Sequence, residues 1–111
     1  MKRRSEQLNL LELQPVRLFE WEEGEDGNVV VLVPKFRHPW LQWLQERLKN
    51  KYFRIKLDAF GNHVWRACDG KTKVATIAES FRDSFGDVPE LYERIAKFLG
   101  RLERDGLLRM K

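Results

Sequence analysis

The stretch from Tyr52 to Leu108 restricts the possible folds of this chain more than any other segment. Its first residues, YFRIKL, alternate between apolar and polar side chains, which predicts a β-strand from Tyr52 to Leu57. Alternate side chains of a strand point to opposite faces. The apolar set, expected to face inward, is Phe53, Ile55 and Leu57. The other set, expected to face outward, is Tyr52, Arg54 and Lys56.

After this strand the apolar residues recur at helical spacing in three consecutive segments, each bounded by a turn or capping signal. The residues predicted to begin the three helices are Asp58, Thr72 and the capping-box-like pair Asp87 and Glu90. The residues predicted to end them are Cys68, Gly86 and Gly106. One strand followed by three short helices is the element order of a winged helix, a fold that binds either DNA or peptides.

The residues before Tyr52 predict a hairpin behind an N-terminal tail at residues 1–15. The segments Val16–Glu22 and Val29–Val33 are expected to be its strands, with a Gly/Asp/Asn-rich turn between them. The alternation in the first segment is irregular, because Val16 and Leu18 point one way while Phe19 and Trp21 point the other. Residues 107–111 are expected to add a short wing strand.

A further short helix is predicted from Pro39 to about Lys49, with proline at its first position. The chain is therefore expected to be an α+β winged helix-turn-helix protein. Its N-terminal three-stranded antiparallel sheet would be followed by three helices, with the extra short helix before the third strand. At 111 residues, we expect a single domain over residues 16–111.

The basic character of the chain is concentrated at its ends. The net charge is +4 and the isoelectric point is about 9.4. Residues 2–4 supply +3 and residues 109–111 supply +2, so residues 5–108 carry −1. The single cysteine excludes an internal disulfide, and no apolar run approaches a membrane-spanning helix or a signal-peptide core. We therefore expect a cytoplasmic protein.

Candidate catalytic residues are few. The two histidines are His38 and His63, and the second lies in the same predicted helix as Cys68. Side chains five positions apart on a helix point in different directions, so this pair is not expected to form a nucleophilic site. The sequence also contains no metal-ligand spacing and no glycine-rich phosphate loop. We therefore expect a protein that is not an enzyme and that needs no cofactor.

DNA binding is one alternative, as in a winged-helix transcription regulator. The second helix of a helix-turn-helix would enter the major groove, and here that helix spans residues 88–105. Arg94, Lys97 and Arg101 would contact the phosphate backbone. Its charged residues sum to zero, however, and its first turn carries Glu90 and Glu93 with no basic residue. Because phosphate contacts supply much of DNA affinity, this pattern disfavours nucleic acid as the partner.

Peptide binding is the interpretation that we prefer. A strand at a sheet edge has unpaired backbone groups that can accept an extended peptide, and the same edge could also pair with a second copy to give a homodimer. The residues expected to contact a peptide are Tyr52, Phe53, Arg54, Ile55, Lys56, Leu57, Tyr92 and Ala96. A third alternative is a structural or assembly subunit whose exposed tryptophans, among the four in the chain, mark a protein interface.

An ordered set of residues between 57 and 108 resembles a known family. Its central part is the pattern V-W-x3-D-G-x-x-x-V-x-x-I-A, which begins at Val64. It follows Leu57-Asp58 and Gly61, and it precedes Phe98-Leu99 and the ending G-L-L at residues 106–108. With these features the chain resembles the PqqD-like family of small winged-helix peptide chaperones. The resemblance covers residues 52–108 and, loosely, the hairpin, while residues 36–50 depart from the shorter family link.

The resemblance implies a non-catalytic protein that holds the leader of a ribosomally made precursor peptide. It would present that peptide to a modifying enzyme, often one of the radical S-adenosylmethionine type. In the family the peptide adds to the edge of the third strand and lies against the last helix. Here these elements match Tyr52–Leu57 and Pro89–Arg104.

Overall fold

The computed structural model describes residues 10–35, 42–45, 47 and 49–111. It forms a mixed α/β structure with a helical turn at residues 10–12. The strands are β1 (Pro15–Arg17), β2 (Trp21–Glu23), β3 (Val29–Pro34), β4 (Tyr52–Lys56) and β5 (Leu108–Met110). The helices are α1 (Gln42–Gln45), α2 (Ala59–Ala67), α3 (Val74–Phe85) and α4 (Leu91–Arg104).

The three-stranded antiparallel sheet that we predicted is present, and its strand order is β2–β3–β4. The hairpin between β2 and β3 closes through a hydrogen bond from Gly24 N to Asn28 O of 2.8 Å, and Gly27 has a φ of +82°, which glycine adopts without strain. Strand β3 lies in the middle, with Val31 opposite both Trp21 and Ile55. The sheet therefore has β4 at one edge and β2 at the other.

The prediction of one continuous first strand is wrong. Pro15–Arg17 pairs with β5 in a separate two-stranded sheet, and only Trp21–Glu23 joins the hairpin. Leu18 N donates to Leu107 O at 3.0 Å, whereas Leu32 N donates to Glu20 O at 2.9 Å. The chain thus leaves one sheet for the other between these residues. The irregular alternation of this segment is consistent with this division, because its two halves belong to different sheets.

The part of the predicted N-terminal tail that the structure describes packs on the rest of the fold. Leu10 and Leu11 are partly buried against the core. The carbonyls of Leu13 and Pro15 accept hydrogen bonds from Val74 N (2.9 Å) and Gly70 N (2.8 Å). Residues 10–15 therefore support β1 and the beginning of α3.

The predicted beginning of α2 is confirmed and the other two predicted helix starts are wrong. The Asp58 side chain accepts a hydrogen bond from Gly61 N at 2.8 Å and caps α2. At α3 the residue in the capping position is Lys73, while Thr72 donates from both its backbone N and its hydroxyl to the Asp69 carboxylate. The hydrogen bond from Lys71 N, followed by those from Thr72, lowers the pKa of Asp69.

The capping box predicted before α4 does not form. Glu90 precedes the helix with a left-handed φ of 56° and makes no side-chain cap, so α4 begins at Leu91. In a capping box the glutamate is the third residue inside the helix, whereas Glu90 lies before the first residue of α4 and so cannot reach back to a cap. The predicted helix ends are close to the observed ones: Cys68 follows α2, Gly86 follows α3 with a φ of +79°, and Gly106 follows the end of α4.

The core lies between the helices and one face of the three-stranded sheet. Its fully buried residues include Val31, Trp65, Ile77, Ile95 and Leu99, which come from the sheet and from all three long helices. The extra helix predicted from Pro39 to Lys49 is described as helical at Gln42–Gln45, and its predicted start lies outside the described residues. In the described ranges, no helix combines the length and the apolar character needed to cross a membrane.

Candidate binding site along strand β4

Among the described residues, strand β4 has an open edge. In the described part of the chain it pairs only with β3. Lys35 N donates to Lys51 O at 3.0 Å, and Leu57 N donates to Val29 O at 2.9 Å. Bonding alternates along an antiparallel pair, so the odd-numbered residues of β4 bond to β3 and the even-numbered ones do not. The backbone N–H and C=O groups of Tyr52, Arg54 and Lys56 therefore point outward along this edge.

One face of β4 continues the core face of the sheet, but it is largely uncovered. Phe53 lies opposite Val33 and Ile55 opposite Val31, so these pairs share a face. The two valines are at most 2% exposed, whereas Phe53 is 57% and Ile55 38% exposed. Phe53 and Ile55 were predicted to face inward, and they do lie on the core face, but of the predicted inward set only Leu57 is buried. Helix α2 packs against β3, and the edge strand beyond it has a neighbour on one side only.

The other face of β4 is basic. Arg54 and Lys56 are exposed on this face, as predicted, and Tyr52 shares it at 39% exposure. Arg54 forms an ion pair with Glu22 of β2. Residues 47–57 contain five basic residues and no acidic one. Acidic residues balance part of this charge: Glu22 pairs with Arg54, and Glu25 and Asp26 line a pocket of about 390 Å³ with Arg54 and Lys56.

A groove of about 460 Å³ lies between the end of β4 and helix α4. Its lining is apolar at Leu57, Phe60 and Phe98, and basic at Lys56, Arg94, Lys97 and Arg101, with Asp58 as its one acidic residue. The ring centres of Phe60 and Phe98 are 5.9 Å apart in an edge-to-face arrangement, and the Arg94 guanidinium lies 4.8 Å from the centre of the Phe60 ring. This groove combines apolar contact with positive charge.

Close packing forms one wall of the groove. A Cβ atom added at Gly61 would come within 3.1 Å of the Phe98 ring and 3.2 Å of Leu57 Cβ. Glycine at this position therefore lets α2 approach the ring of Phe98 and the end of β4. The Asp58 cap holds the same turn of α2 in place.

The two residues of the last helix that were predicted to contact a peptide do not line this groove. Tyr92 is 38% exposed and lies against α3, where its hydroxyl accepts a hydrogen bond from Arg82 at 3.3 Å. Ala96 is half-buried. Sequence reasoning did not assign Arg94, Lys97, Phe98 and Arg101 to a peptide site. Their three- and four-residue spacing, which places them on one helix face, was the available signal.

The two candidate residues for a nucleophilic site, His63 and Cys68, each have polar partners elsewhere in the fold. His63 Nε2 lies 3.1 Å from Ser80 Oγ, its ring is edge-to-face with the rings of Phe81 and Phe85, and burial lowers its pKa. Cys68 is buried, donates from Sγ to Val64 O at 3.2 Å, and has its pKa raised by burial to about 12. Such a thiol is protonated at neutral pH and is a poor nucleophile.

The three described tryptophans do not form a single exposed surface. Trp65 is completely buried, Trp21 is half-buried and Trp43 is 55% exposed. The guanidinium groups of Arg17 and Arg66 lie 5.8 and 5.0 Å from the Trp21 ring. Trp40 lies outside the described residues.

Comparison with known proteins identifies the family. No curated protein and no solved structure gives a significant match to the chain. The family model described as coenzyme PQQ synthesis protein D (PqqD) matches residues 44–108, which is more than half of the chain. This match includes β4, α2, α3 and α4, and with them the open edge and the groove. The chain therefore belongs to the PqqD family.

Proposed function

We propose that this protein binds the leader of a ribosomally made precursor peptide and presents it to a modifying enzyme, without catalysing a reaction itself. Membership of the PqqD family supports a role in a precursor-peptide pathway. The observation that carries the proposal is the open edge of β4 beside the basic groove. The modifying enzyme, which we propose to be of the radical S-adenosylmethionine type, would supply the chemistry.

The peptide would bind as an added strand. Three residues of β4 present outward backbone donors and acceptors, and an extended peptide satisfies them without any change in the sheet. Such main-chain bonds provide affinity for many sequences, while the side-chain pockets on either face provide selectivity. A protein that holds a leader in this way keeps it extended for a second protein to act on the rest of the peptide.

The charge around the edge favours an acidic or amphipathic leader. Lys56 lies at the junction of β4 and the groove, and Arg94, Lys97 and Arg101 follow along α4. The aromatic rings of Phe60 and Phe98 offer apolar contact between these cations. We propose that the leader leaves the end of β4 and continues along this groove.

The arrangement of elements fits a winged helix-turn-helix in which α3 and α4 form the helical pair and β1 with β5 forms the wing. Because precursor peptides are made by ribosomes, we place this activity in the cytoplasm.

A homodimer formed through the same edge of β4 would compete with the peptide. The oligomeric state should therefore be measured with and without peptide in the same experiment.

A titration monitored by nuclear magnetic resonance tests the proposal. Peptides encoded near the gene are added to the labelled protein, and shifts are expected at Tyr52–Leu57 and along the groove. Replacing Arg54 and Lys56 with glutamate should weaken the binding of an acidic peptide by ~2 kcal/mol, because each exposed charge contributes up to about 1 kcal/mol. This loss corresponds to a roughly thirtyfold lower affinity. A matched control replaces the exposed Lys71 and Arg109 with glutamate, which changes the net charge equally.

Shifts confined to other surfaces, or equal weakening by both double variants, would contradict the proposed face. The first outcome would place the peptide elsewhere. The second would mean that the total charge, and not the edge of β4, determines the affinity.

A DNA-binding regulator is the second candidate, and the observation that favours it is the alignment of Arg94, Lys97 and Arg101 along one groove. Duplex DNA is the probe. Binding through several phosphates loses orders of magnitude in affinity as salt rises from low to physiological concentration. If DNA binds with this salt dependence and shifts only α4, the regulator is the better account.

A further inference from the structure

We propose that the peptide strand recognised by β4 alternates between acidic and apolar residues, with acidic side chains opposite Arg54 and Lys56 and apolar ones opposite Phe53 and Ile55. This inference rests on the proposed function, because it assumes strand addition at the open edge. It goes further by stating which chemical pattern the edge selects.

The two faces of β4 differ in chemistry at its open edge. The basic face carries Arg54 and Lys56, and the apolar face carries Phe53 and Ile55, with all four side chains exposed. In an added strand, residues directly opposite each other place their side chains on the same face. An incoming peptide therefore meets cations and apolar groups at alternate positions.

A uniform peptide would fit only one of the two faces. An all-acidic strand would place carboxylates over the apolar side chains of Phe53 and Ile55, where they lose water and the Lys35 ammonium beside Phe53 can pair with one of them at most. An all-apolar strand would place hydrocarbon against the charged groups of Arg54 and Lys56. A strand with the two types in separate blocks has the same defect at every second position. Alternation alone satisfies both faces at once.

Other charges lie close to these faces. Glu25 and Asp26 line one pocket with Arg54 and Lys56. Glu22 pairs with Arg54 on the basic face and competes with a peptide carboxylate for it. The Lys35 ammonium lies 5.5 Å from the centre of the Phe53 ring on the apolar face. Lys56 makes no ion pair with any described residue, so its ammonium remains available to a peptide carboxylate.

Three synthetic peptides test the alternation. The first alternates glutamate and isoleucine, the second has the same composition in two blocks, and the third alternates lysine and isoleucine. Each is flanked by glycine and serine and checked by diffusion measurements to be monomeric. The alternating glutamate peptide should bind about tenfold more tightly than the blocked peptide, a difference of ~1.4 kcal/mol. The lysine peptide should bind more weakly than both.

Two protein variants assign the preference to the basic face. In the Arg54→Glu, Lys56→Glu protein the affinities should reverse, so that the alternating lysine peptide binds more tightly than the alternating glutamate peptide. In Glu22→Gln the competing carboxylate is removed, so the alternating glutamate peptide should bind about threefold more tightly. Unchanged affinity in Glu22→Gln would contradict a contact between the peptide and Arg54.

The outcomes separate the inference from the proposed function. If the blocked peptide binds as tightly as the alternating one and shifts the amides of Tyr52–Lys56, strand addition stands and the alternation is refuted. If none of the peptides, nor any peptide encoded near the gene, shifts these amides, the proposed function fails as well.

Discussion

The stability cost of replacing a buried and an exposed isoleucine with alanine tests whether the apolar face of β4 is uncovered in solution. Ile95 is fully buried in α4, and Ile55 is 38% exposed on the apolar face of β4. Replacing each with alanine removes the same atoms from two different environments. The pair measures whether the apolar face of β4 is open in solution, which is the condition for a peptide to bind there.

The expected losses follow from burial. At about 0.8 kcal/mol for each buried methylene group, Ile95→Ala loses about 2.4 kcal/mol in transfer free energy. The cavity raises this loss to about 3.5 kcal/mol, and the better helix propensity of alanine returns about 0.4 kcal/mol, which leaves about 3 kcal/mol. Ile55→Ala loses only part of the transfer term, about 1 kcal/mol, with about 0.5 kcal/mol added for the poorer strand propensity of alanine.

Urea unfolding followed by circular dichroism measures both losses in the free energy of unfolding. The expected result is a loss for Ile95→Ala that is about twice the loss for Ile55→Ala, about 3 against 1.5 kcal/mol, at an unchanged slope of the transition. Equal losses would refute the reasoning, since Ile55 would then be covered in solution. A loss at Ile55 that grows with protein concentration would identify the cover as a second copy of the chain.

Three further predictions concern local features. Asp58→Ala should lower the free energy of unfolding, measured in urea, by about 1 kcal/mol because the 2.8 Å hydrogen bond from Gly61 N is lost. Asp58→Asn should retain most of this stability, and equal losses in the two variants would contradict a capping role. Gly100→Ala should raise the melting temperature, with a gain of about 0.5–1 kcal/mol, because this position lies inside α4 and an added Cβ has open space; a lower melting temperature would mean that the site is covered. Cys68 should resist a thiol reagent at pH below its pKa of about 12 until the protein unfolds, and rapid labelling of the native protein would contradict its burial.

Most of the helical architecture could be predicted from local patterns. The cap at Asp58, the stop at Gly86 and the inward stripe of α4 depend on residues within one or two turns of each other. Thr72 failed as a cap because the carboxylate of Asp69 takes its hydrogen-bonding groups. Asp69 is only three residues from Thr72, so two neighbouring side chains compete for the same backbone groups and the pattern alone does not decide between them.

The candidate site was predictable in part. The alternation of Tyr52–Leu57 correctly indicated which side chains share a face. It could not indicate that β4 lies at an edge, where Phe53 and Ile55 remain exposed. The groove was also missed, because Phe60, Phe98 and the basic residues of α4 meet only after α2 and α4 pack together.

The sequence by itself determined the local elements and the family, since periodicity, turn residues and motif spacing are properties of neighbouring positions. Only the tertiary structure decided that the first strand divides between two sheets, that β4 has an open edge, and that cations of α4 border it. The physical reason is that burial and charge at a site depend on contacts between residues far apart in the chain, which the local pattern of side chains does not encode.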